Sequence, residues 1–550
     1  MKKTVHLFFV LLLAVTLSAV LAACGGTAEP TQPPAAPADT PVPPADTPVP
    51  PPPAEPVTLI VGFDIQASSS MDPHQMFELA GAMADYAAYE PLVKITAQDF
   101  STPVPWLAES WDISADGLTY TFHLRPGVTF SSGNPLTAED VRFSWMRLKN
   151  KQGPPSWFMG WVADVQVMDD LTVNVILHDP SPGFIMVATA PYLGIMDSKV
   201  VQEHGGSADE DSATTDTATP WLDQNSAGSG PFILTSFTPK SEVVLEANPT
   251  YWGEKAKADR IILKHVEDPT TALQMLQRGD LDLLPRLDPD LVEEAKADPN
   301  LQVDVLETLD ITYMNMTCDP TLSVPLSDVR VRQAILLALD RDGLIQSGLR
   351  GYALKPPSIL PLGLAGVEES MIQPRDVERA KALLKEAGYE NGFTEKFYYP
   401  ARPLFDLVGA KIKNDLAEVG INVELQPTDY SVLVSMTWGE HTAPWVIGNW
   451  YPDYIDYTIY TDYWGYASHD WGANMRCEVP PELEAATDII SHGLDSAERL
   501  QAVKDWQAIM LDFAYGTTLY QANELIAMRK EVTGFGYIPV VYTEWGQLGR

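Results

Sequence analysis

From Thr58 onward, short apolar runs alternate with stretches whose apolar residues recur every three or four positions. Thr58-Leu59-Ile60-Val61-Gly62-Phe63 is unbroken and bounded by polar residues, which predicts a buried strand. Met71–His74 predicts a turn, Ala82–Tyr89 a helix, and Glu90-Pro91-Leu92-Val93 the start of another strand. Asp116-Gly117 sits between two alternating runs and predicts a hairpin, with Leu118, Tyr120, Phe122 and Leu124 on one face. Thr129–Pro135 reads as a second turn. Thr137-Ala138-Glu139-Asp140-Val141 then reads as a capped helix start, with Thr137 as N-cap and Asp140 three residues on.

The second half continues the pattern. Val331, Ala334, Ile335, Ala338 and Leu339 mark a buried helix face. Val377, Ala380, Leu383, Leu384 and Ala387 mark another, closed by Gly388. Leu416, Val419 and Ile421 lead into a strand at Asn422–Gln426. Alternating helices and short strands predict packed α/β layers. Glu203–Thr219 is polar and rich in Gly, Ser and Asp, and predicts a flexible surface loop.

The first 56 residues follow a different rule. Lys2 and Lys3 precede an apolar run, Leu7–Leu21, the layout of a secretory signal peptide over residues 1–23. Leu21-Ala22-Ala23-Cys24 resembles a bacterial lipobox, which implies cleavage before Cys24 and lipidation of its thiol. From Gly25 to Pro56 proline dominates, and Ala38–Pro44 repeats as Ala45–Pro51. Prolines lack an N–H and fix φ, so Gly25–Pro56 predicts an extended tether, which with the cysteine whose lipidation the lipobox resemblance implies makes up residues 24–56. Such a tether reaches up to roughly 100 Å from a bilayer.

About 490 residues remain, enough for two or three domains. Their hydrophobic content supports real cores, and no second run has membrane-spanning length. A formal net charge of −38 argues against nucleic acid as a partner, since that needs a basic face. The only other cysteines, Cys318 and Cys477, either pair in an oxidising compartment or stay as buried thiols. No HExxH, GxSxG, P-loop or dinucleotide fingerprint occurs, and the nine histidines lack metal-ligand spacing. A carboxylate-pair hydrolase is not excluded by composition, but nothing singles out such a pair.

The segment from Pro105 to Val128, with the hairpin and helix start just described, resembles the signature of the family 5 solute-binding proteins, the oligopeptide and dipeptide receptors of ABC importers. Further stretches agree in order: Gly228–Phe232, Asn248–Trp252, Leu276–Asp282, Asp328–Ala334, Ala338–Arg341 and Ala380–Tyr389. The resemblance runs from Thr58 to the C-terminus. It implies a two-lobed periplasmic-binding-protein-like α/β fold (type II, cluster C) with an extra domain in the first lobe. The expected layout is lobe I at 57–94, an extra domain at 95–226, lobe I again at 227–312, lobe II at 313–518 and a return to lobe I at 519–550. Arg332, Asp340, Tyr251 and Trp252 are expected to be architectural.

The resemblance also implies a site. Peptide-binding relatives carry Trp-x-x-Asp where this chain has Trp450-Tyr451-Pro452-Asp453. Asn449, Trp450 and Tyr451 would bond a peptide main chain, and Asp453 would meet its α-ammonium. The family's second Asp-Pro is Asp456-Tyr457 here, a departure that alters the loop path. Tyr454, Trp438, Asn315 and Tyr313 are further lining candidates. The aromatic series Tyr457, Tyr460, Tyr463, Trp464, Tyr466 and Trp471, with Trp445, either lines a pocket, stacks on sugar rings or packs the core and hinge. The implied role is a monomeric, extracytoplasmic receptor without cofactor, delivering peptide to an ABC permease with its ATPase subunits and held to the bilayer through Cys24. An oligosaccharide receptor is the alternative within this class. A surface hydrolase or an adhesion lipoprotein is the alternative outside it.

Overall fold

The computed structural model describes residues 56–550 apart from His469 and Val541. The leader, Cys24 and the tether up to Glu55 lie outside the described residues. From Glu55 the chain forms one compact unit.

A seven-stranded sheet builds the first lobe, in the order Leu301–Leu306, Glu524–Arg529, Leu283–Leu284, Thr58–Phe63, Arg260–His265, Glu242–Ala247, Phe232–Thr238. Thr58–Phe63 runs parallel to Arg260–His265 and meets Leu283 at Val61. Leu59, Val61 and Phe63 join one buried cluster while Ile60 packs on another. Cover on both faces is why this strand reads as continuous rather than alternating.

The second lobe holds a six-stranded sheet, ordered Ala353–Leu354, Gly516–Ala522, Ile311–Met316, Trp445–Trp450, Phe393–Pro400, Ile421–Thr428. The helices Val329–Ala338, Val377–Glu386 and Pro403–Ala417 share a buried cluster with its strands. Gly388 takes a φ of +88°, a left-handed C-terminal stop that favours glycine.

A separate four-stranded antiparallel sheet lies between residues 108 and 177, in the order Ala108–Ile113, Thr119–Leu124, Thr172–Leu177, Val162–Asp169. The hairpin turns at Gly117, φ +71°. Tyr120, Phe122 and Leu124 share the buried face, and Phe122 meets Trp145 of the Ala138–Lys151 helix edge-on at 6.3 Å. Thr137 and Asp140 form the capping box, the Asp140 carboxylate accepting from the Thr137 N–H at 2.8 Å.

The polar stretch Glu203–Thr219 departs from expectation. It contains the helix Ser212–Thr215 and the buried residues Ser212 and Asp216. Asp216 accepts from Arg147 at 2.8 Å, and the same guanidinium bonds both carboxylate oxygens of Asp72 at 2.8 and 2.7 Å. Arg147 and Lys151, the latter 3.0 Å from Asp216, balance the two acids, so an apparently loose segment is anchored in the interior.

The chain crosses between the two large sheets twice, between Leu306 and Ile311 and between Ala522 and Glu524. These crossings differ from the expected borders at 312/313 and 518/519, because Ile311–Met316 and Gly516–Ala522 are continuous strands paired to each other. Thr308 donates to the Ala522 carbonyl at 2.7 Å and Gln521 donates to the Thr308 carbonyl at 2.5 Å, tying the two crossings together. Cys318, just past Ile311–Met316, is disulfide-bonded to Cys477, which resolves the two readings left open by the sequence.

The lobes are closed on one another. Tyr454 of the second lobe lies within 5.8–6.3 Å of the rings of Trp157, Phe158 and Trp161 from the four-stranded region. Beside it, Gly183 packs so closely on Asp456 that a Cβ would lie 2.8 Å from the carboxylate.

Candidate functional site

Trp445–Trp450 is a strand with one edge open. On one side it pairs in full with Ile311–Met316, from Met316↔Trp445 to Ile311↔Trp450. On the other, Phe393–Pro400 pairs with it only at Tyr398↔Val446. That neighbour then reaches Pro400, which has no N–H to continue a ladder. Among the described residues no strand covers the edge from Gly448 to Trp450.

A cavity of about 290 Å³ lies along this edge. Tyr313, Phe405, Tyr430, Trp438 and Trp471 supply apolar and aromatic wall, with Gly448, Asn449 and Tyr451 from the strand's end. Arg402 is the one charged side chain in this wall. It stands at the start of the Pro403–Ala417 helix, 6.0 Å from the Tyr430 ring centre. Tyr451 is 48% exposed and Trp438 38%, so both present open aromatic faces at the cavity.

Asp453 follows three residues beyond the strand. It is half-buried, and no side chain among the described residues hydrogen-bonds or pairs with it. Burial alone raises its pKa to about 7. It lies outside the walls of the cavity just described, near Tyr192, Tyr460 and Tyr463, whose hydroxyl pKa values its charge helps to raise. Asp456 contrasts with it. That carboxylate is buried, accepts from Arg499 at 2.6 Å and from the Thr458 N–H and hydroxyl, and is committed to structure.

The remaining candidates separate in the same way. Tyr313 and Trp438 line the cavity, while the Trp450 indole donates to the Ile459 carbonyl at 3.0 Å and packs on Tyr463 and Trp464. The Asn449 amide donates to Thr312 at 2.9 Å and its residue borders the cavity. Tyr454 is buried against the four-stranded region, its hydroxyl 3.1 Å from Thr458, and is not in the cavity wall. Asn315 is fully buried, accepts from the Trp464 indole at 2.9 Å and is likewise not in the wall. Of the downstream aromatics, Tyr460, Trp464, Trp471 and Trp445 are buried, and only Trp471 meets the cavity. Most of that series therefore packs core and hinge.

Arg332 donates to the carbonyls of Leu326, Ser327 and Phe513, and Tyr251 and Trp252 both donate to the buried Glu90 at 2.7 Å, as does Ser229. These are architectural contacts. Sequence reasoning missed Arg402 and Tyr430. The Arg402-Pro403 helix start at the end of a strand was the available signal, since strand ends facing an interlobe crevice are where ligands meet α/β sheets.

A family model described as "Bacterial extracellular solute-binding proteins, family 5 Middle" matches residues 102–472. The chain belongs to this family. Over 473 residues it is 28% identical to the dipeptide-binding protein of Escherichia coli K12, an alignment covering 80% of this chain and 84% of the relative. The solved structure of the ABC transporter-associated periplasmic binding protein DppA from Helicobacter pylori, in complex with peptide STSA, superposes with a TM-score of 0.74. It is 24% identical, covering 90% of this chain and 98% of that one. NikZ from Campylobacter jejuni, in complex with Ni(L-His), superposes with a TM-score of 0.73 at 19% identity, covering 90% and 99%. The fold is thus the two-lobed, type II binding-protein fold that the sequence resemblance implied. One such neighbour holds a peptide and another a nickel–histidine complex, so the ligand of this chain follows from its own cleft.

Proposed function

We propose that this protein is a membrane-tethered peptide receptor, which captures peptides between its lobes and hands them to an ABC permease without chemical turnover. The observation that carries the reading is the open edge of Trp445–Trp450 beside a cavity, with an unpaired carboxylate three residues on. A peptide laid along Gly448–Trp450 gains main-chain hydrogen bonds that no side chain dictates. Its α-ammonium meets Asp453, and Arg402 faces the carboxylate end. The similarity to a dipeptide-binding protein supports the same assignment. The lipobox at Leu21–Cys24 supports anchoring on the outer side of a membrane, with the proline-rich segment as spacer. Saccharide recognition would use the aromatic wall of the same cavity, but it would leave the open strand edge and the Asp453 carboxylate without a role.

The test is calorimetric titration of the purified protein with a free tripeptide and its N-acetyl counterpart. Free peptide should bind, and acetylation should weaken it about 30-fold or more, the loss that follows when a desolvated charge pair is broken. Equal affinity of the two peptides would remove Asp453 from the site. Binding of neither would remove the peptide assignment.

A further inference from the structure

A second cavity, also about 290 Å³, sits at the hinge. Both crossings contribute to it, Thr308 and Asp310 from the first and Ala522 to Glu524 from the second. It adjoins the peptide cavity, because Asn449 and Tyr451 belong to both walls. Its chemistry is different. Where the first wall carries Arg402 and no acid, this one carries Asp288, Asp310 and Glu524.

The Asp310 carboxyl makes no hydrogen bond or ion pair among the described residues, and burial raises its pKa to about 8. The only cation in the wall is Arg286. Its guanidinium lies over the rings of Phe63 and Tyr451, 5.8 and 5.0 Å from their centres, and its charge partly offsets the rise that burial gives the Asp310 pKa. The Arg286 N–H is held by Glu524 at 2.8 Å. Tyr520 lines the same cavity and is 1% exposed, and its hydroxyl, beside Thr312, makes no well-aligned hydrogen bond among the described residues. An unpaired carboxyl and an unsatisfied buried hydroxyl in one wall describe a polar site whose partner comes from outside the chain.

Strand geometry connects this cavity to a ligand. Side chains of a peptide added at Gly448–Trp450 alternate between the two faces of the sheet. Thr312, Asn449 and Tyr520 stand on one face, as the Asn449–Thr312 hydrogen bond and the shared wall indicate. Tyr313 and Gly448 stand on the other. A peptide side chain on the Asn449 face points toward the hinge.

We propose that the hinge cavity is a second subsite, in which Asp310, with Glu524 and the Tyr520 hydroxyl alongside, takes a positively charged side chain of the bound peptide. The ligand class is then peptides with a lysine or arginine on the hinge-facing position. The inference rests on the peptide reading above.

The test scans lysine through positions two to four of tetra-alanine and compares each peptide with its norleucine counterpart, which keeps the stem and removes the charge. Calorimetry on the full chain at pH 7.5 should show one position at which lysine binds about 30-fold or more tighter than norleucine. In Asp310→Asn that ratio should fall to about one. Equal binding of the two series at every position, tighter binding of a glutamate series, or a lysine preference that survives Asp310→Asn would overturn the subsite while leaving the peptide reading intact. Binding by no peptide of any series would overturn both. A wild-type ratio of about one at every position overturns the subsite even where that variant fails to fold, and Asp310→Ser then serves as the second variant.

Discussion

Lowering the pH should weaken peptide binding through one group, and the size of the effect follows from the structure. Asp453 has no internal partner, and burial alone lifts its pKa to about 7. A ligand ammonium binds the ionised form, so protonation competes with binding. The apparent Kd then scales with the inverse of the ionised fraction, which is about 0.9 at pH 8, 0.1 at pH 6 and 0.03 at pH 5.5. The peptide's α-amine, with a free pKa of about 7.7–8.0, is about half deprotonated at pH 8, so tri-alanine should bind best near pH 7.4, about midway between the two pKa values, and lose about sixfold in affinity by pH 6 and about 17-fold by pH 5.5. The facing hydroxyls of Tyr192, Tyr460 and Tyr463 have pKa values raised above their usual value, so they stay protonated across this range. Tri-alanine offers no side-chain cation to Asp310. Above about pH 7.5 deprotonation of the peptide's own α-amine makes affinity fall again. The assay is calorimetric titration from pH 5.5 to 8.5 with wild type and Asp453→Asn. The variant should lack the acid limb and match protonated wild type at pH 5.5. A flat wild-type profile between pH 5.5 and 7.5, or the same limb in the variant, would refute the reasoning.

Three further outcomes follow from contacts away from the ligand. Gly183→Ala places a methyl 2.8 Å from the Asp456 carboxylate, which Arg499 holds in place, so lobe closure should be disfavoured by about 1–3 kcal/mol. Ligand affinity should drop to match, and small-angle scattering with saturating peptide should show a larger radius of gyration than wild type. Replacing Cys318 and Cys477 together by serine should lower unfolding stability by about 2–4 kcal/mol in a denaturant titration, and unchanged stability would mean the bond adds nothing. Arg147→Met leaves the buried Asp72 without an ion-pair partner, while Asp216 keeps Lys151 at 3.0 Å, and should cost about 3–5 kcal/mol, read in the same titration.

Local signals carried much of the fold. The Asp116-Gly117 turn, the Thr137/Asp140 capping box and the Gly388 stop each depend on residues within a few positions of one another, and each is found where the pattern places it. What the pattern hides is long-range. Asp216 sits in a stretch of surface composition, yet its partner Arg147 lies 69 residues upstream and draws it inside. Glu90 is unremarkable in sequence and gathers donors from Trp106, Ser229, Tyr251 and Trp252. Cys318 and Cys477 are 159 positions apart, a separation at which sequence alone leaves pairing open. The site divides along the same line. Tyr313, Asn449 and Tyr451 border the cavity, whereas Tyr454 and Asn315 are buried in packing, because aromatic and amide side chains carry no local mark that separates pocket from core. Asp310 and Glu524 were beyond reach, since they meet only where two crossings more than 200 residues apart come together at the hinge.

The most direct measurement of the central claim is native mass spectrometry of the protein purified from the cells that make it, followed by denaturing release of whatever it holds. A peptide receptor should release a mixture of short peptides with free amino termini, and should rebind them after release. Release of a saccharide, or an empty protein that binds none of a peptide library, would contradict the account.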